Sequence, residues 1–278
     1  MREPVYFLDG RTVRASAARL PIADLAILRG FALFESLRTY GRKPFLLDRH
    51  LDRLLGEARR VGLACPYSRA EIARIIQRLL RCNCFPEALI RLLLTGGASP
   101  KLIPSGRPTF AVMMDPLPAF PKHQYAKGIA LMSIPFERAY PEMKTTNYFA
   151  AVWGTMRAVK RGFHEIVYAR DNGDLLEGST FNLFVVLPGQ RLITPQKDVL
   201  AGVTAGCVLD LARALRIRIA RRPIRPADLR RAREAFITSS NREIIPVRRV
   251  DRQRIGDGRP GPMTRRLHAA YRDFVGKS

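Results

Sequence analysis

Lysine is scarce in this chain of 278 residues, because eight of its 48 basic side chains are lysine and the other forty are arginine. Cysteine is scarce as well, and the closest pair, Cys82 and Cys84, has no second Cys or His pair at zinc-binding spacing. No apolar run approaches the roughly 18 residues that a membrane-spanning helix requires. These absences argue against a disulfide-stapled secreted domain, a zinc site and a membrane span. They predict a cytoplasmic protein that holds no metal.

Acidic residues are too few to balance the basic ones, so the chain carries a formal net charge of +24. A charge of this size suggests nucleic-acid binding, since Lys and Arg neutralise phosphates. However, the arginines are spread along the whole chain without a dense patch that alternates with aromatic residues. The most basic runs, 216–225 and 230–233, are typical of the solvated sides of a helix, a strand and a second helix. We therefore expect no nucleic-acid partner, and keep a basic nucleic-acid-binding protein without catalysis as an alternative.

The pattern of strands and helices predicts two α/β domains joined by a short linker. Residues 115–122 read DPLPAFPK, and three prolines in eight positions are typical of a domain boundary. We assign residues 1–115 to an N-terminal α/β domain, 116–122 to the linker and 123–278 to a C-terminal domain. Strand-like apolar segments alternate with amphipathic segments on both sides of the linker.

Two amphipathic helices stand out in the first domain. The spacing of leucines predicts one helix over 48–62, with Asp48 as its cap. A second helix over 68–81 begins with Ser68 and Glu71, which have the spacing of a capping box. Each helix carries an apolar stripe that can cover one face of a sheet.

Lys144 is the residue that arginine could not replace if it acts as a nucleophile, because an amine can lose its proton and form a Schiff base with a carbonyl. If the carbonyl is an aldehyde cofactor with a pyridine ring and a phosphate, further groups are needed. Glu177 is a candidate carboxylate for the pyridine nitrogen. The helix that opens at Val203 and Thr204 offers backbone N–H groups to a phosphate, and Arg53 offers a cation.

Five short segments that contain these residues occur in one order along almost the whole chain. Together they resemble the class IV, fold type IV pyridoxal-phosphate aminotransferases, a family that includes branched-chain aminotransferases, D-amino-acid aminotransferases and aminodeoxychorismate lyases. The segments are HLDRL (50–54), KTTNY (144–148), LLEGSTFNLFVV (175–186), LAGVTAGCVLDLA (200–212) and TSSNREIIPVRRVD (238–251).

The resemblance implies a two-domain fold with a smaller N-terminal α/β sandwich and a larger C-terminal α/β pseudo-barrel, and it implies pyridoxal 5′-phosphate as cofactor. Lys144 is then the Schiff-base lysine and proton carrier, and Glu177 the partner of the pyridinium nitrogen. The residues implied to contact the phosphate are Arg53, Val203, Thr204 and Ser240. Tyr148 is implied to reach the phenolic oxygen of the cofactor, with core packing as the alternative. Ser240 also has a purely structural alternative.

Three arginines inside or beside apolar runs, Arg29, Arg38 and Arg91, are candidate ligands for a substrate carboxylate. The alternative is an internal ion pair, for example with Glu35. An arginine pair formed by Arg29 and Arg91 would suit a D-amino acid, so we lean to a D-amino-acid transaminase that works with a 2-oxo acid by a ping-pong mechanism. A branched-chain L-amino-acid transaminase and an aminodeoxychorismate lyase are the alternatives. The resemblance also implies a homodimer, since the segment around Arg29 reaches the partner's active site in this family.

Overall fold

A computed structural model describes residues 3–277, and these residues form two compact units. The first unit runs up to Pro118 and also includes Met143–Asn147. The second comprises Ala119–Glu142 and the chain from Tyr148 onward. The first break therefore falls inside the proline-rich segment. The return of Met143–Asn147 to the first unit differs from the single break that we expected.

The first unit is a six-stranded antiparallel sheet with two long helices on one face. Its strands lie in the order β2-β1-β6-β5-β3-β4. The elements are β1 (Val5–Leu8), β2 (Arg11–Arg14), a 3-10 turn (Ala15–Ala17), α1 (Leu25–Arg29), β3 (Ala32–Tyr40), β4 (Lys43–Pro44), α2 (Leu47–Arg60), α3 (Arg69–Asn83), β5 (Ala88–Thr95) and β6 (Phe110–Pro116). The apolar stripes of α2 and α3 pack on the sheet and form the core of this unit.

The two long helices begin in different ways. The capping box of α3 is present, because Ser68 accepts from the N–H of Glu71 and the Glu71 side chain accepts from the N–H of Ser68. The prediction that Asp48 caps α2 is wrong. Leu46 takes the cap position in a left-handed conformation, with φ of 51°, and leaves Asp48 in the first turn. A carboxylate in the first turn still complements the helix dipole.

Lys144 belongs to the first unit because its segment is hydrogen-bonded along β3. The N–H of Phe34 donates to the carbonyl of Lys144 at 3.0 Å, and the N–H of Thr146 donates to the carbonyl of Ala32 at 3.2 Å. Leu33 and Thr145 form an antiparallel bridge between these two contacts. The lysine is thus carried on a strand-like piece of backbone rather than on a free loop.

The second unit is built on a mixed nine-stranded sheet that curls into a barrel-like shape. The strand path runs β12-β11-β10-β13-β14-β7-β8-β9, with β15 on β14, and β9 pairs back onto β10 to close a ring. The predicted α/β fold with a pseudo-barrel is confirmed. The elements are α4 (Lys122–Lys127), β7 (Ile129–Pro135), α5 (Phe149–Lys160), β8 (Glu165–Ala169), β9 (Leu175–Gly178), β10 (Asn182–Leu187), β11 (Arg191–Thr194), α6 (Val203–Ala214), β12 (Arg218–Arg221), α7 (Pro226–Arg231), β13 (Glu234–Ser239), β14 (Glu243–Val250), β15 (Gln253–Arg254) and α8 (Pro262–Lys277).

The cysteines, the hydrophobicity of the helices and the possible metal ligands can be described for residues 3–277. The four cysteines are free thiols. No helix in that range is both long enough and apolar enough to cross a membrane. In the same range, no cluster of three or more His, Cys, Asp or Glu side chains is arranged to hold a metal ion.

Candidate active site

A buried carboxylate organises the charged side chains of the first unit. Residues on β3 alternate between its two faces, and Glu35 points to the helix side, where it is fully buried. His50 and Arg53, one helical turn apart on α2, both reach it. The Nδ1 atom of His50 lies 2.7 Å from Oε2. Arg53 donates from Nε to Oε1 at 2.6 Å and from Nη2 to Oε2 at 2.8 Å.

The charges in this group follow from burial and pairing. Burial alone raises the pKa of Glu35, but the hydrogen bonds from His50 and Arg53 outweigh it and lower that pKa to about 2. Burial lowers the pKa of His50 below its ordinary value, so the imidazole is neutral at pH 7 and its Nδ1–H donates to Glu35. The ion pair is therefore carried by Glu35 and Arg53. This pair fixes the guanidinium that the sequence predicted as a phosphate ligand.

Lys144 lies beside this charged group, and its side chain passes over an aromatic ring. Its Nζ atom is 4.4 Å from the centre of the Phe34 ring, within the range of a cation–π contact. The backbone N–H of Lys144 donates to Oε2 of Glu57 at 2.9 Å. Glu57 lies one turn after Arg53 on α2. Burial raises its pKa, while the charges of Arg53 and Lys144 oppose that rise. Arg53 and Lys144 are thus brought to the same carboxyl group.

In the second unit, Glu177 is buried on β9 and is held at both oxygens. Arg138 donates from Nε to Oε1 at 3.0 Å. The N–H of Leu200 donates to Oε2 at 2.9 Å, and Nδ2 of Asn182 lies 3.3 Å from the same oxygen. These donors keep the carboxylate in one orientation, as a partner for a protonated ring nitrogen requires.

The beginning of α6 lies close to Glu177 through the same asparagine. Asn182 pairs with Glu177 on one side and with Thr238 on the other, so the three side chains form a row across β9, β10 and β13. A Cβ added to Gly202, the residue before Val203, would lie 2.0 Å from Oδ1 of Asn182. Only glycine therefore fits where the chain enters α6. Val203 and Thr204 then form the first turn, and no side chain caps it.

Comparison with known proteins assigns the chain to a family. The sequence model described as Amino-transferase class IV matches residues 32–250. The chain belongs to the class IV aminotransferases. It is a pyridoxal-phosphate-dependent aminotransferase, as the resemblance implied.

Several relatives of this aminotransferase match over nearly their full length. A putative branched-chain-amino-acid aminotransferase of Methanocaldococcus jannaschii is 29% identical over 274 residues, which is 96% of this chain and 95% of that protein. A D-alanine aminotransferase of Bacillus licheniformis is 27% identical over 271 residues, with coverage of 96% and 95%. The crystal structure of the Escherichia coli branched-chain amino acid aminotransferase superposes with a TM-score of 0.92 at 27% identity, and 99% of this chain and 95% of that chain are covered.

The residues of the aminotransferase fit pyridoxal phosphate on three structural grounds. The uncapped start of α6 leaves N–H groups that can donate to an anion, since the first N–H groups of a helix have no partner within it. The Oγ1 atom of Thr238, in the row with Glu177, is buried without a hydrogen-bond partner in the described structure. Ser240 follows two residues later, in the turn after β13. Arg53 and Lys144 supply an anchored cation and an amine in the first unit.

None of the three arginines is buried, although each lies inside or beside an apolar run. Arg29 is exposed on α1, and its Nη1 donates to the carbonyl of Leu28. Arg91 is 42% exposed and pairs with Asp115 at 2.5 Å. It does not pair with Glu35, because Glu35 faces the helices and Arg91 faces the other side of the sheet.

Arg38 is half-buried and stays on the face opposite to Glu35. It donates from Nε to the carbonyl of Thr39 at 3.1 Å, and its guanidinium lies 4.1 Å from the centre of the Tyr40 ring. The internal ion pair with Glu35 that the sequence left open is therefore made by Arg53. The structure leaves the carboxylate-binding role of the three arginines as a proposal.

Tyr148 lies at the residue before α5 and is half-buried, so it is not a core side chain. Burial raises the pKa of Tyr168 to about 12, and the neighbouring Tyr148 hydroxyl adds to that rise. The two phenols are therefore neighbours in the second unit. A role of Tyr148 toward the cofactor stays a prediction.

Sequence reasoning missed several residues that shape these sites. Arg138 lies in an irregular segment with no periodic signal, so nothing local announced its pairing with Glu177. Arg242 binds Glu165 at 2.6 Å and Thr180 at 2.9 Å, which ties the turn after β13 to the turn after β9. His50 and Glu57 could have been found, because they share a helix face with Arg53.

Proposed function

We propose that this aminotransferase transfers the amino group of branched-chain L-amino acids to a 2-oxo acid. The lean to D-amino acids is not confirmed, because the relatives are mostly named branched-chain aminotransferases. The argument for that lean was the pair formed by Arg29 and Arg91, and Arg29 is exposed. A D-alanine transaminase is the second candidate, because some relatives carry that name.

The observation that carries this proposal is the face of the first sheet below the Lys144 amine. Phe34, over which the amine lies, pairs with Leu93, and the next pair on the same face is Ser36 with Arg91. Apolar side chains surround these positions, and all are half-buried. They are Phe34, Leu89, Leu93 and Met113. An apolar surface next to a cation suits an amino acid with a branched aliphatic side chain and a carboxylate.

In this proposal Arg91 binds the substrate carboxylate and Arg38 lies on the same face as a second cation. Asp115, which pairs with Arg91, keeps the guanidinium oriented when no substrate is bound. Arg29 lies on exposed α1 and would act in the site of a partner subunit. The 2-oxo acid that receives the amino group uses the same cation, because both substrates carry a carboxylate at the same position.

The remaining residues act on the cofactor and on one proton. Pyridoxal phosphate, when bound, supplies the electron sink that makes the Cα proton of the amino acid acidic. Lys144 would hold the cofactor through its amine, and the same amine would accept the proton from Cα of the amino acid. Glu177, oriented by Arg138, would keep the pyridine nitrogen protonated. Arg53 in the first unit and the N–H groups of Val203 and Thr204 in the second are each proposed as phosphate ligands. Ser240 is proposed as a further phosphate ligand, and Tyr148 as a ligand of the phenolic oxygen.

We also propose that the enzyme acts as a homodimer in the cytoplasm. The segments around α1 and Leu102 are joined by a bridge between Asp24 and Ala98, and they expose large apolar side chains. In the second unit, one side of α5 is also apolar and exposed. Large exposed apolar patches are typical of association surfaces. The exposed residues are Ile22, Ile27, Leu28, Leu102 and Ile103 in the first unit and Phe149, Val152, Trp153, Met156 and Val159 on α5.

The test of the substrate is a set of half-reactions followed by the visible spectrum of the protein loaded with pyridoxal phosphate. L-Leucine, L-isoleucine and L-valine are expected to bleach the Schiff-base band at least tenfold faster than D-alanine does. Faster bleaching by D-alanine would overturn the proposal in favour of a D-amino-acid transaminase. Bleaching by none of them would contradict both. Light scattering of the same sample tests the dimer.

A further inference from the structure

The backbone of Lys144 is fixed at both of its polar groups within the first unit. Its carbonyl accepts from the N–H of Phe34 at 3.0 Å, which is an ordinary strand contact. Its N–H donates at 2.9 Å to Oε2 of Glu57, which is a side chain on α2. The side chain of Lys144 leaves the backbone between these two contacts and passes over the Phe34 ring.

Glu57 is an unusual residue for this half-buried position, because one of its two carboxylate oxygens makes no hydrogen bond within the described residues. The Oε1 atom is buried without a hydrogen-bond partner in the described residues. Burial also raises the pKa of the carboxyl group. An unsatisfied buried polar atom destabilises a protein, and a leucine of similar size would avoid that penalty. Among the described residues, the hydrogen bond that the Glu57 side chain makes is the one from the Lys144 N–H to Oε2.

We propose that Glu57 is a positioning residue for the amine of Lys144. Its hydrogen bond fixes the Cα atom from which the lysine side chain extends, and so fixes where the amine lies above the sheet. Displacement of a reacting atom by about 1 Å can lower a rate by roughly a hundredfold. The inference rests on the proposed role of Lys144 in the reaction, but the contact itself does not depend on that role.

Three variants separate the hydrogen bond from other effects of the substitution. Glu57→Gln keeps an oxygen that can accept from the Lys144 N–H. Glu57→Ala removes the acceptor and leaves a cavity. Glu57→Leu removes the acceptor, fills the volume and removes the unsatisfied oxygen, so it tests the hydrogen bond without leaving a cavity. Glu87→Ala is the matched control, because the half-buried Glu87 accepts from the backbone N–H of Gly41 at 2.8 Å in the same unit.

The first measurement is hydrogen exchange at the Lys144 amide in the full-length protein, with and without pyridoxal phosphate. Alanine and leucine at position 57 are expected to speed exchange at this amide about tenfold, as the loss of one hydrogen bond predicts. Glutamine is expected to leave it within threefold of the wild type. The Glu87 control changes exchange at Gly41 and leaves Lys144 unchanged. Unchanged exchange at Lys144 in Glu57→Leu would overturn the contact.

The second measurement is steady-state kinetics with L-leucine on the loaded enzyme. Glu57→Leu is expected to lower kcat at least tenfold while KM changes less than threefold, and Glu57→Gln to restore most of kcat. Equal kcat values for the Glu57→Leu variant and the wild type would overturn the positioning role. If the wild type forms no Schiff-base band, the proposed function fails, and the exchange measurement still decides the contact between Glu57 and Lys144.

Discussion

Glu35 in the first unit and Glu177 in the second are both buried carboxylates that accept hydrogen bonds on both oxygens. The donors to Glu35 are mainly side chains, His50 and Arg53, on one face of α2. Glu177 also accepts from a charged side chain, Arg138, but its other oxygen accepts from the backbone N–H of Leu200 and from Asn182, which in turn donates to the carbonyl of Leu200. The first site thus depends mainly on side chains of one helix, and the second depends in addition on the course of the main chain.

This difference predicts that the two units respond to different kinds of substitution. Removal of a charge is expected to damage the first unit most, since a partner is then left buried without its counterion. In the second unit, addition of a single carbon is expected to disturb the start of α6 beside Glu177, where Gly202 meets Asn182. The following experiments test this contrast.

The largest expected effect is at Lys144. Lys144→Ala and Lys144→Arg are both expected to lower the rate of amino transfer from L-leucine by at least about 10⁴-fold, because neither side chain can form a Schiff base. The measurement is product formation coupled to a dehydrogenase. Lys160→Ala changes an exposed lysine at the end of α5 and serves as the control. Substantial activity in Lys144→Arg would show that the amine is not required.

The next largest effect is expected from Glu35→Gln. The folded-state pKa of about 2 lies below the ordinary value of 4.5, so the carboxylate stabilises the fold above pH 4.5, and this stabilisation is lost as the pH falls toward 2. We expect the variant to lose about 3 kcal/mol of unfolding free energy at pH 7. Urea unfolding between pH 2.5 and 7 measures it.

The dependence of the unfolding free energy on pH provides the control for that prediction. Glu35→Gln is expected to flatten the fall of stability between pH 4.5 and 2.5, whereas Glu71→Gln, which changes an exposed carboxylate, leaves most of the slope. An unchanged slope in Glu35→Gln would mean that Glu35 is not ionised by its contacts with Arg53 and His50.

A smaller effect is expected from one added carbon in the second unit. Gly202→Ala places a Cβ 2.0 Å from Oδ1 of Asn182. It is expected to destabilise the fold by about 1–3 kcal/mol and to weaken the binding of pyridoxal phosphate about tenfold. Thermal unfolding and fluorescence titration measure these effects. Gly56→Ala on α2, whose Cβ meets no atom within 4 Å, is expected to stabilise by about 0.5–1 kcal/mol. Equal responses of the two variants would remove the contrast.

The smallest effect is expected at the substrate cation. Arg91→Ala is expected to raise KM for L-leucine about tenfold and to leave kcat within threefold, because Arg91 is half-exposed and Arg38 remains as a second cation on the same face. Arg69→Ala, which removes an exposed pair with Asp48, is the control. An unchanged KM in Arg91→Ala would assign carboxylate binding elsewhere.

Much of the fold was readable because it rests on local patterns. The capping box of α3 depends on neighbouring residues, so sequence spacing was enough to predict it. The start of α2 was misplaced because a left-handed leucine, which propensity disfavours, took the cap.

The candidate site was readable only where its residues stand in short motifs. Lys144, Glu177 and the start of α6 lie in such motifs, and the resemblance named them. Arg138 and Glu57 act through partners 39 and 87 residues away, respectively, so no local spacing could reveal them. The exposure of Arg38 and Arg91 could not be predicted, because an apolar neighbourhood in sequence does not tell which face of a strand is covered.

The central claim is that Lys144, among eight lysines, forms the Schiff base with pyridoxal phosphate. Borohydride reduction of the loaded protein, followed by peptide mass spectrometry, tests it directly. The account predicts one phosphopyridoxyl group per chain, on Lys144, and its loss when L-leucine is added before reduction. A label on another lysine, or no label on a protein that binds the cofactor, would contradict the account.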